Sequence, residues 1–274
     1  MHSKLATQQK IGLISGSGKF PFMFAKAAKE KGFYIVSIAI QGNTDGRLKR
    51  FVDEIKWFKI SEFRKILDFL KEKQIDSVVM AGQIKPRTLF NKEILRDEEL
   101  RNLIVDLEDR RADSVFGAIA EKIKESGIDL LDSTILLKEH LPEKGVLTPQ
   151  EPTEEIWDSI NFGFQMAKEI ARLDIGQIVV VKNKTVVAVE SMEGTDATIL
   201  RAGSIANRGC IAVKVSKPNQ DMRFDIPVVG LRTIKNLIRI KASCLAFEAG
   251  KTLFIDREKC IKKARRNNLI VVAV

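Results

Sequence analysis

Ile11-Gly12-Leu13-Ile14-Ser15-Gly16-Ser17-Gly18-Lys19-Phe20-Pro21 is the stretch whose reading decides the fold. A short apolar run breaks at a glycine-rich turn, and apolar residues then return at helical spacing through Phe24, Ala25 and Ala28 as far as Gly32. That is the pattern of strand, turn and helix. Pro21 suits a first helical turn, where its missing N–H costs nothing, and Gly32 suits the C-terminal stop. Outward from there, Phe33 to Ile40 is a second apolar run rich in β-branched residues, Ser61 to Lys73 has amphipathic helical spacing, and Val78 to Gly82 is a further strand-like run. Strands alternating with helices predict an α/β fold with a parallel, doubly wound sheet. A helical region from about Lys92 to Ser126, with a break near Arg110 to Asp113, ends at Gly127.

The densest punctuation in the chain follows. Pro142, Gly145, Pro149 and Pro152 fall between His140 and Pro152, which predicts an inter-domain connection. The expected organisation is therefore an N-terminal domain over 1–139, a connection over 140–153 and a C-terminal α/β domain over 154–274. In the last of these, Thr153 to Ala171 reads as a helix with Glu154 and Glu155 placed for its first turn. Gln177 to Val181 and Thr185 to Glu190 read as strands of a hairpin turning at Asn183-Lys184. Further strands are expected at Cys210 to Val215, Cys244 to Phe247, Thr252 to Ile255 and Leu269 to Val272, with a basic helix at Lys259 to Asn267.

Composition bounds the function. The 274 residues suffice for about two domains, and 45% hydrophobic with 30% charged residues lies in the globular range. Lysine and arginine number 46 against 36 aspartate and glutamate, a formal charge of +10 that favours anionic partners. There are two histidines, and only His140 lies outside the N-terminal tail, which nearly excludes Ser-His-Asp hydrolysis and multi-histidine zinc sites. Cys210, Cys244 and Cys260 are odd in number with no CxxC, so no disulfide framework is expected and a reducing, cytoplasmic setting is the default. Neither a signal-peptide core nor an 18-residue apolar span is evident. The basic residues are scattered among few stacking aromatics and form no nucleic-acid motif, so nucleic acid is not an expected partner. Self-association stays open, as does peripheral contact of Lys262-Lys263-Ala264-Arg265-Arg266 with an anionic inner-membrane surface, although a solvated helix face is the simpler account of that run.

Two loops at strand ends are placed to bind a ligand. Gly16, Ser17, Gly18 and Lys19 follow the first strand, where glycine lets the backbone approach a phosphate at a helix N-terminus. Pro21 stands where a dinucleotide fingerprint has its third glycine, and the second strand runs into Ile40-Gln41-Gly42 without the expected acid, which argues against NAD. A tight turn packing helix on sheet is the competing account. Gly82, Gln83, Lys85 and Arg87 form a second loop, with Gln83 suited to a base or sugar and the two cations to phosphate.

The densest chemistry lies between residues 190 and 225. Glu190, Glu193 and Asp196 leave a strand around Gly194 and Thr195 and are placed to converge at its end, while Asp221, Arg223 and Asp225 alternate and would share a face in an extended segment. With Lys214, Lys217 and Gln220 nearby, acid and base together suit a hard cation beside a phosphoryl group. Taken singly, each charge is more simply a surface ion pair.

The runs GSGKFP (16–21), GQIKPR (82–87), LDIGQ (173–177), AVESMEGTDA (188–197), VKVSKPNQDMRFDIPVVG (213–230) and EAGKT (248–252) together resemble the LpxI-type UDP-2,3-diacylglucosamine pyrophosphatases over nearly the whole chain. The resemblance implies a Rossmann-like N-terminal domain, a second α/β domain, and Mg²⁺-dependent (or Mn²⁺-dependent) hydrolysis of an acylated nucleotide-sugar to UMP and 2,3-diacylglucosamine 1-phosphate, by water attack at the β-phosphorus. It also implies that Asp225, then Asp221, with Glu193 and Asp196 in support, hold metal and drive catalysis. Arg223, Lys214 and Lys217 would meet the diphosphate, and the glycine loop and Gln83 the rest of the substrate. Thr198 and Asn219 depart from the family pattern without removing a charged candidate. Another nucleotide-diphospho-sugar, or a binding protein for one, is the alternative.

Overall fold

The computed structural model describes residues 9–84, 97–105, 107, 109 and 111–274. The chain divides into two compact units. One takes the chain up to Leu137 together with Met222–Asp225, and the other takes Lys138–Asp221 and Ile226–Val274.

In the first unit β1 (Lys10–Ser15), β2 (Tyr34–Ile40), β3 (Glu54–Phe58), β4 (Ser77–Ala81) and β5 (Asp129–Leu130) form one parallel sheet in the order β3-β2-β1-β4-β5. This is the doubly wound arrangement, whose topological switch point lies between β1 and β4. β1, β2 and β4 are largely apolar runs because both faces of the sheet are covered there. Val36, Ile38 and Val78 are fully buried in a core that also takes Leu70 and Ile123 from the helices. α1 (Phe20–Glu30) begins with Pro21 in its first turn and is followed by Gly32 at φ +81°, as the sequence predicts. α2 spans Phe63–Glu72, α3 Glu98–Val105 and α4 Ala112–Glu125; Ala112 and Asp113, read as part of a break, are helical, and Lys92 to Arg96 and Arg110 lie outside the described residues.

β3 was not foreseen. It is an edge strand with Lys56 and Trp57 exposed, so it lacks the apolar run that marks β1 and β2.

The second unit is built on a six-stranded mixed sheet. β6 (Gly145–Val146), β7 (Ile178–Lys182), β8 (Thr185–Val189), β9 (Ile211–Lys214), β11 (Cys244–Phe247) and β13 (Ile270–Ala273) lie in the order β6-β13-β11-β9-β7-β8. β9, β11 and β13 are mutually parallel, and β6, β7 and β8 each run antiparallel to a neighbour. The stretch read as a connection, 140–153, thus contributes a strand of this sheet. β10 (Val228–Val229) and β12 (Leu253–Phe254) make a small parallel pair.

Side chains alternate across the sheet with the period of two that strands impose. Val179, Val181, Ile211, Val213, Cys244 and Ala246 pack beneath α5 (Glu154–Arg172). Ile178, Val180, Ala212, Leu245 and Phe247 pack on the other face, beneath α6 (Thr195–Ala206), α7 (Leu231–Arg239) and α8 (Arg257–Arg265). Thr153 caps α5 by accepting the Ile156 N–H, and the hairpin turn has Asn183 and Lys184 both at positive φ. No helix among the described residues is long and apolar enough to cross a membrane.

Candidate functional site

At the switch point of the first sheet the two predicted loops meet. Ser17 and Gln83 form an antiparallel bridge in which Ser17 N–H donates to Gln83 O at 2.8 Å and Gln83 N–H to Ser17 O at 3.1 Å. Gly16 N–H donates to Ala81 O at 2.8 Å. A Cβ on Gly16 would stand 2.7 Å from the Gly82 carbonyl carbon, and one on Gly82 would stand 2.6 Å from Ser17 O. Glycine at 16 and 82 is therefore required by the close crossing of two backbones. The Gly16 and Ser17 N–H groups serve that crossing, whereas no heavy atom surrounds the Cβ position of Gly18, which has φ +92°. Lys19 is the N-cap of α1. Lys85 and Arg87 lie outside the described residues.

In the second unit a polar cluster gathers where the parallel strands end. Lys214, the last residue of β9, is only 8% exposed. Its Nζ donates to Thr195 Oγ1 at 3.0 Å and enters no ion pair among the described residues. Thr195 in turn donates to Glu190 Oε1 at 2.7 Å, and Glu190 Oε2 accepts the Gln177 N–H at 3.1 Å. Gly194, at φ +80°, makes the left-handed turn that lets Thr195 open α6 directly behind Glu190. The arrangement is a buried ammonium with one neutral partner at a helix N-terminus, where the helix dipole also favours an anion. Sequence reasoning named Lys214 and Thr195 but passed over α6, because the carboxylate-rich turn before it drew the eye to charge instead of helical spacing.

The other predicted residues have definite partners. Lys217 pairs with Asp174 at 2.7 Å, and its N–H donates to Gln220 Oε1 at 2.8 Å, closing the turn at Pro218-Asn219. Glu193 accepts from Arg201 at 2.8 Å, and this guanidinium holds the Glu193 carboxyl below the usual carboxylate range. Asp196 is bound by Arg232 at 2.7 Å and by the Asn236 amide at 2.8 Å, both from α7.

Asp221, Arg223 and Asp225 do not lie along an extended strand, as their alternation suggested. Met222 to Phe224 form a turn that belongs to the first unit. The physical reason is anchoring. The Phe224 ring packs on Phe116 at 6.0 Å, Ser133 N–H donates to Met222 O at 2.9 Å, Ser133 Oγ donates to Arg223 O at 2.6 Å, and Arg223 reaches Glu121 at 3.4 Å. Asp221 falls in the second unit and Asp225 in the first.

These placements bear on the expected Mg²⁺ or Mn²⁺. A resident cation of this kind wants oxygen ligands not already held by cations. Glu193 and Asp196 are held by arginines, and no group of three or more His, Cys, Asp or Glu among the described residues is arranged to hold a metal ion. The four carboxylates do not fit as a single metal shell, and no chemical step is assigned to one.

A doubly wound parallel sheet whose loops cross at the switch point, joined in one chain to a mixed α/β sheet with polar groups clustered at its strand ends, defines a two-unit α/β protein. Residues 10–140 match the LpxI N-terminal domain and residues 143–272 the LpxI C-terminal domain. The chain belongs to the LpxI family. A relative from Caulobacter vibrioides named UDP-2,3-diacylglucosamine pyrophosphatase LpxI is 30% identical over 278 residues, spanning 97% of this chain and 98% of the relative. Among solved structures, N5-carboxyaminoimidazole synthetase from Staphylococcus aureus is 16% identical with a TM-score of 0.26, over 64% of this chain and 38% of that one. An ADP complex of N5-carboxyaminoimidazole ribonucleotide synthetase reaches a TM-score of 0.28 at 16% identity, over 72% of this chain and 45% of that one. Likenesses at this level support nothing further.

Proposed function

We propose that the chain hydrolyses the diphosphate of UDP-2,3-diacylglucosamine, adding water across the P–O–P bond to give UMP and 2,3-diacylglucosamine 1-phosphate. The name of the Caulobacter relative and the family membership support the substrate class. The observation in the protein itself that carries the reading is Lys214, a buried cation with a neutral partner at the start of α6. Burying a charge without a counter-ion is costly, and a diphosphate oxygen is a partner that would offset it. In this reading Lys214 binds and polarises the diphosphate. Asp225 is the first choice to orient the attacking water, with Asp221 and Arg223 beside it in sequence, and Mg²⁺ or Mn²⁺ is an expected requirement of turnover. The exposed Lys262, Arg265 and Arg266 at the end of α8 are the proposed contact with anionic headgroups for a substrate that carries two acyl chains.

The test is to incubate the purified protein with UDP-2,3-diacylglucosamine in detergent micelles with and without Mg²⁺, and to follow UMP by chromatography with Asp225→Ala in parallel. UMP and the sugar 1-phosphate in equal amounts are expected from the wild type. Failure to release UMP under any cation overturns the reading, and release of UMP from other UDP-sugars at equal rate overturns the acylated substrate.

A further inference from the structure

Glu248 follows β11 at the same sheet end as Lys214 and is buried. Its Oε2 accepts from Lys168 Nζ at 2.6 Å, Ser216 Oγ at 2.7 Å and Ser216 N–H at 2.8 Å, while its Oε1 lies 3.1 Å from Lys251 Nζ. Lys168, reaching over from α5, also donates to Ser216 O at 3.0 Å. The N–H, carbonyl and hydroxyl of Ser216, which has no solvent exposure, are thus all held by one ion pair. The backbone repeats the connection, since Glu248 N–H donates to Lys214 O at 3.0 Å. The clamp serves the short segment between two cations. Lys214 precedes Ser216 by two residues, and Lys217, which opens the turn closed by Gln220, follows it directly.

A peptide held at three polar atoms cannot rotate without breaking charged hydrogen bonds, so Glu248 fixes both the exit of Lys214 from β9 and the origin of the 217–221 loop. Nothing in the sequence marks this role. Glu248-Ala249-Gly250-Lys251 reads there as one more turn, with Lys251 as a conceivable anion contact, whereas in the fold Lys251 belongs to Glu248. We infer that Glu248 is a positioning residue for the anion-binding lysine, acting through Ser216, an inference that rests on the assignment of Lys214 to the diphosphate. Misplacement of a reacting group by about 1 Å costs about 10²-fold in rate. A carboxylate that acts through Lys214 is expected to show in KM as well as in kcat, because the lysine it places meets the diphosphate in both ground and transition states.

Glu248→Gln keeps the shape and places an amide where three donors converge. The measurements are kcat and KM for UDP-2,3-diacylglucosamine, Tm, and backbone hydrogen exchange. The expected result is a fall in kcat/KM of about 30-fold, with kcat lowered and KM raised, together with faster exchange confined to 214–221 while β11 and α5 stay protected. Ser216→Ala, which removes one arm of the clamp, should give the same joint change in kcat and KM at smaller size and decides the matter if Glu248→Gln does not fold. A folded Glu248→Gln protein with wild-type kcat, or one in which only Tm falls and exchange rises throughout the second unit, overturns the role. A wild type without turnover removes the reading of the substrate instead. In that case the exchange pattern alone decides whether Glu248 holds the segment, and unchanged protection at 214–221 refutes it.

Discussion

Replacing Lys214 by methionine separates a binding group from a structural one by the sign of two effects. Lys214 is 8% exposed, and the one bond its ammonium makes within the described residues goes to the neutral Thr195 hydroxyl. A hydrogen bond to a charged group contributes about 1.5–3 kcal/mol, so loss of a Lys214 contact to diphosphate should lower kcat/KM by about 10- to 150-fold. KM should rise as well as kcat fall, because a cation meets the diphosphate in both ground and transition states. Stability should move the other way. Methionine nearly matches the volume, Thr195 keeps its bond to Glu190, and no ion pair among the described residues is broken, so the desolvation cost of a buried charge is relieved. Tm should stay level or rise by a few degrees. Calorimetry and steady-state kinetics on the same preparation check both. Wild-type kcat/KM in Lys214→Met, or a Tm lowered by more than about 5 °C with activity lost in step, would refute the reasoning, since the latter is the signature of a lysine that holds the fold together.

Three further outcomes follow from the geometry. Gly16→Ala should destabilise by about 1–3 kcal/mol in chemical denaturation, because its Cβ meets backbone at 2.7 and 2.8 Å. Gly46→Ala, with nothing within 4 Å and no positive φ, should stay within about 0.5 kcal/mol of wild type, and equal costs at the two sites would contradict the loop-crossing account. After EDTA treatment, Glu193→Gln and Asp196→Asn should follow the wild-type Mg²⁺ titration curve while losing some stability. A tenfold shift of that curve in either variant would restore them as metal ligands. Burial acts to raise the Glu248 carboxyl, but the bonds from Lys168, Ser216 and Lys251 outweigh it and bring it from 4.5 to about 2. The group then adds stability above pH 4.5 that disappears as pH falls towards 2, about 3 kcal/mol as an order of magnitude. Urea titrations between pH 2 and 6 should show a shallower acid loss in Glu248→Gln, and parallel curves would remove the carboxylate from the acid transition.

The parts of the fold legible in the sequence are those specified by neighbours in the chain. β1, its glycine turn and α1 follow from one eleven-residue stretch, and the hairpin at Asn183-Lys184 follows from the demand for two positive φ values. Thr153 caps its helix with the acids beside it in sequence. What escaped was specified at a distance. α7 goes unread although Leu231, Ile234 and Leu237 recur at helical spacing; its burial against α6 and α8 and the hold of its Arg232 and Asn236 on Asp196 are settled only by the fold. The alternation of Asp221, Arg223 and Asp225 is real in the sequence, but Phe116 and Ser133, about 90–108 residues earlier, turn the segment instead of extending it. Within the candidate site Lys214 was legible as a cation after an apolar strand. That it enters no ion pair among the described residues was not legible, because that depends on the side chains the fold brings near it.

The docking of Met222–Asp225 with the first unit has a consequence for how the chain is made. That unit is discontinuous in sequence, so a fragment ending at Leu137 lacks Phe224 against Phe116 and the Met222 carbonyl that Ser133 N–H requires. On the ribosome, the 88 residues from Lys138 to Asp225 must be synthesised before those partners exist, a wait of roughly 4–18 s at ordinary elongation rates. The nascent first unit therefore stays incomplete while most of the second emerges, and its final contacts form only after the 211–214 strand has been made.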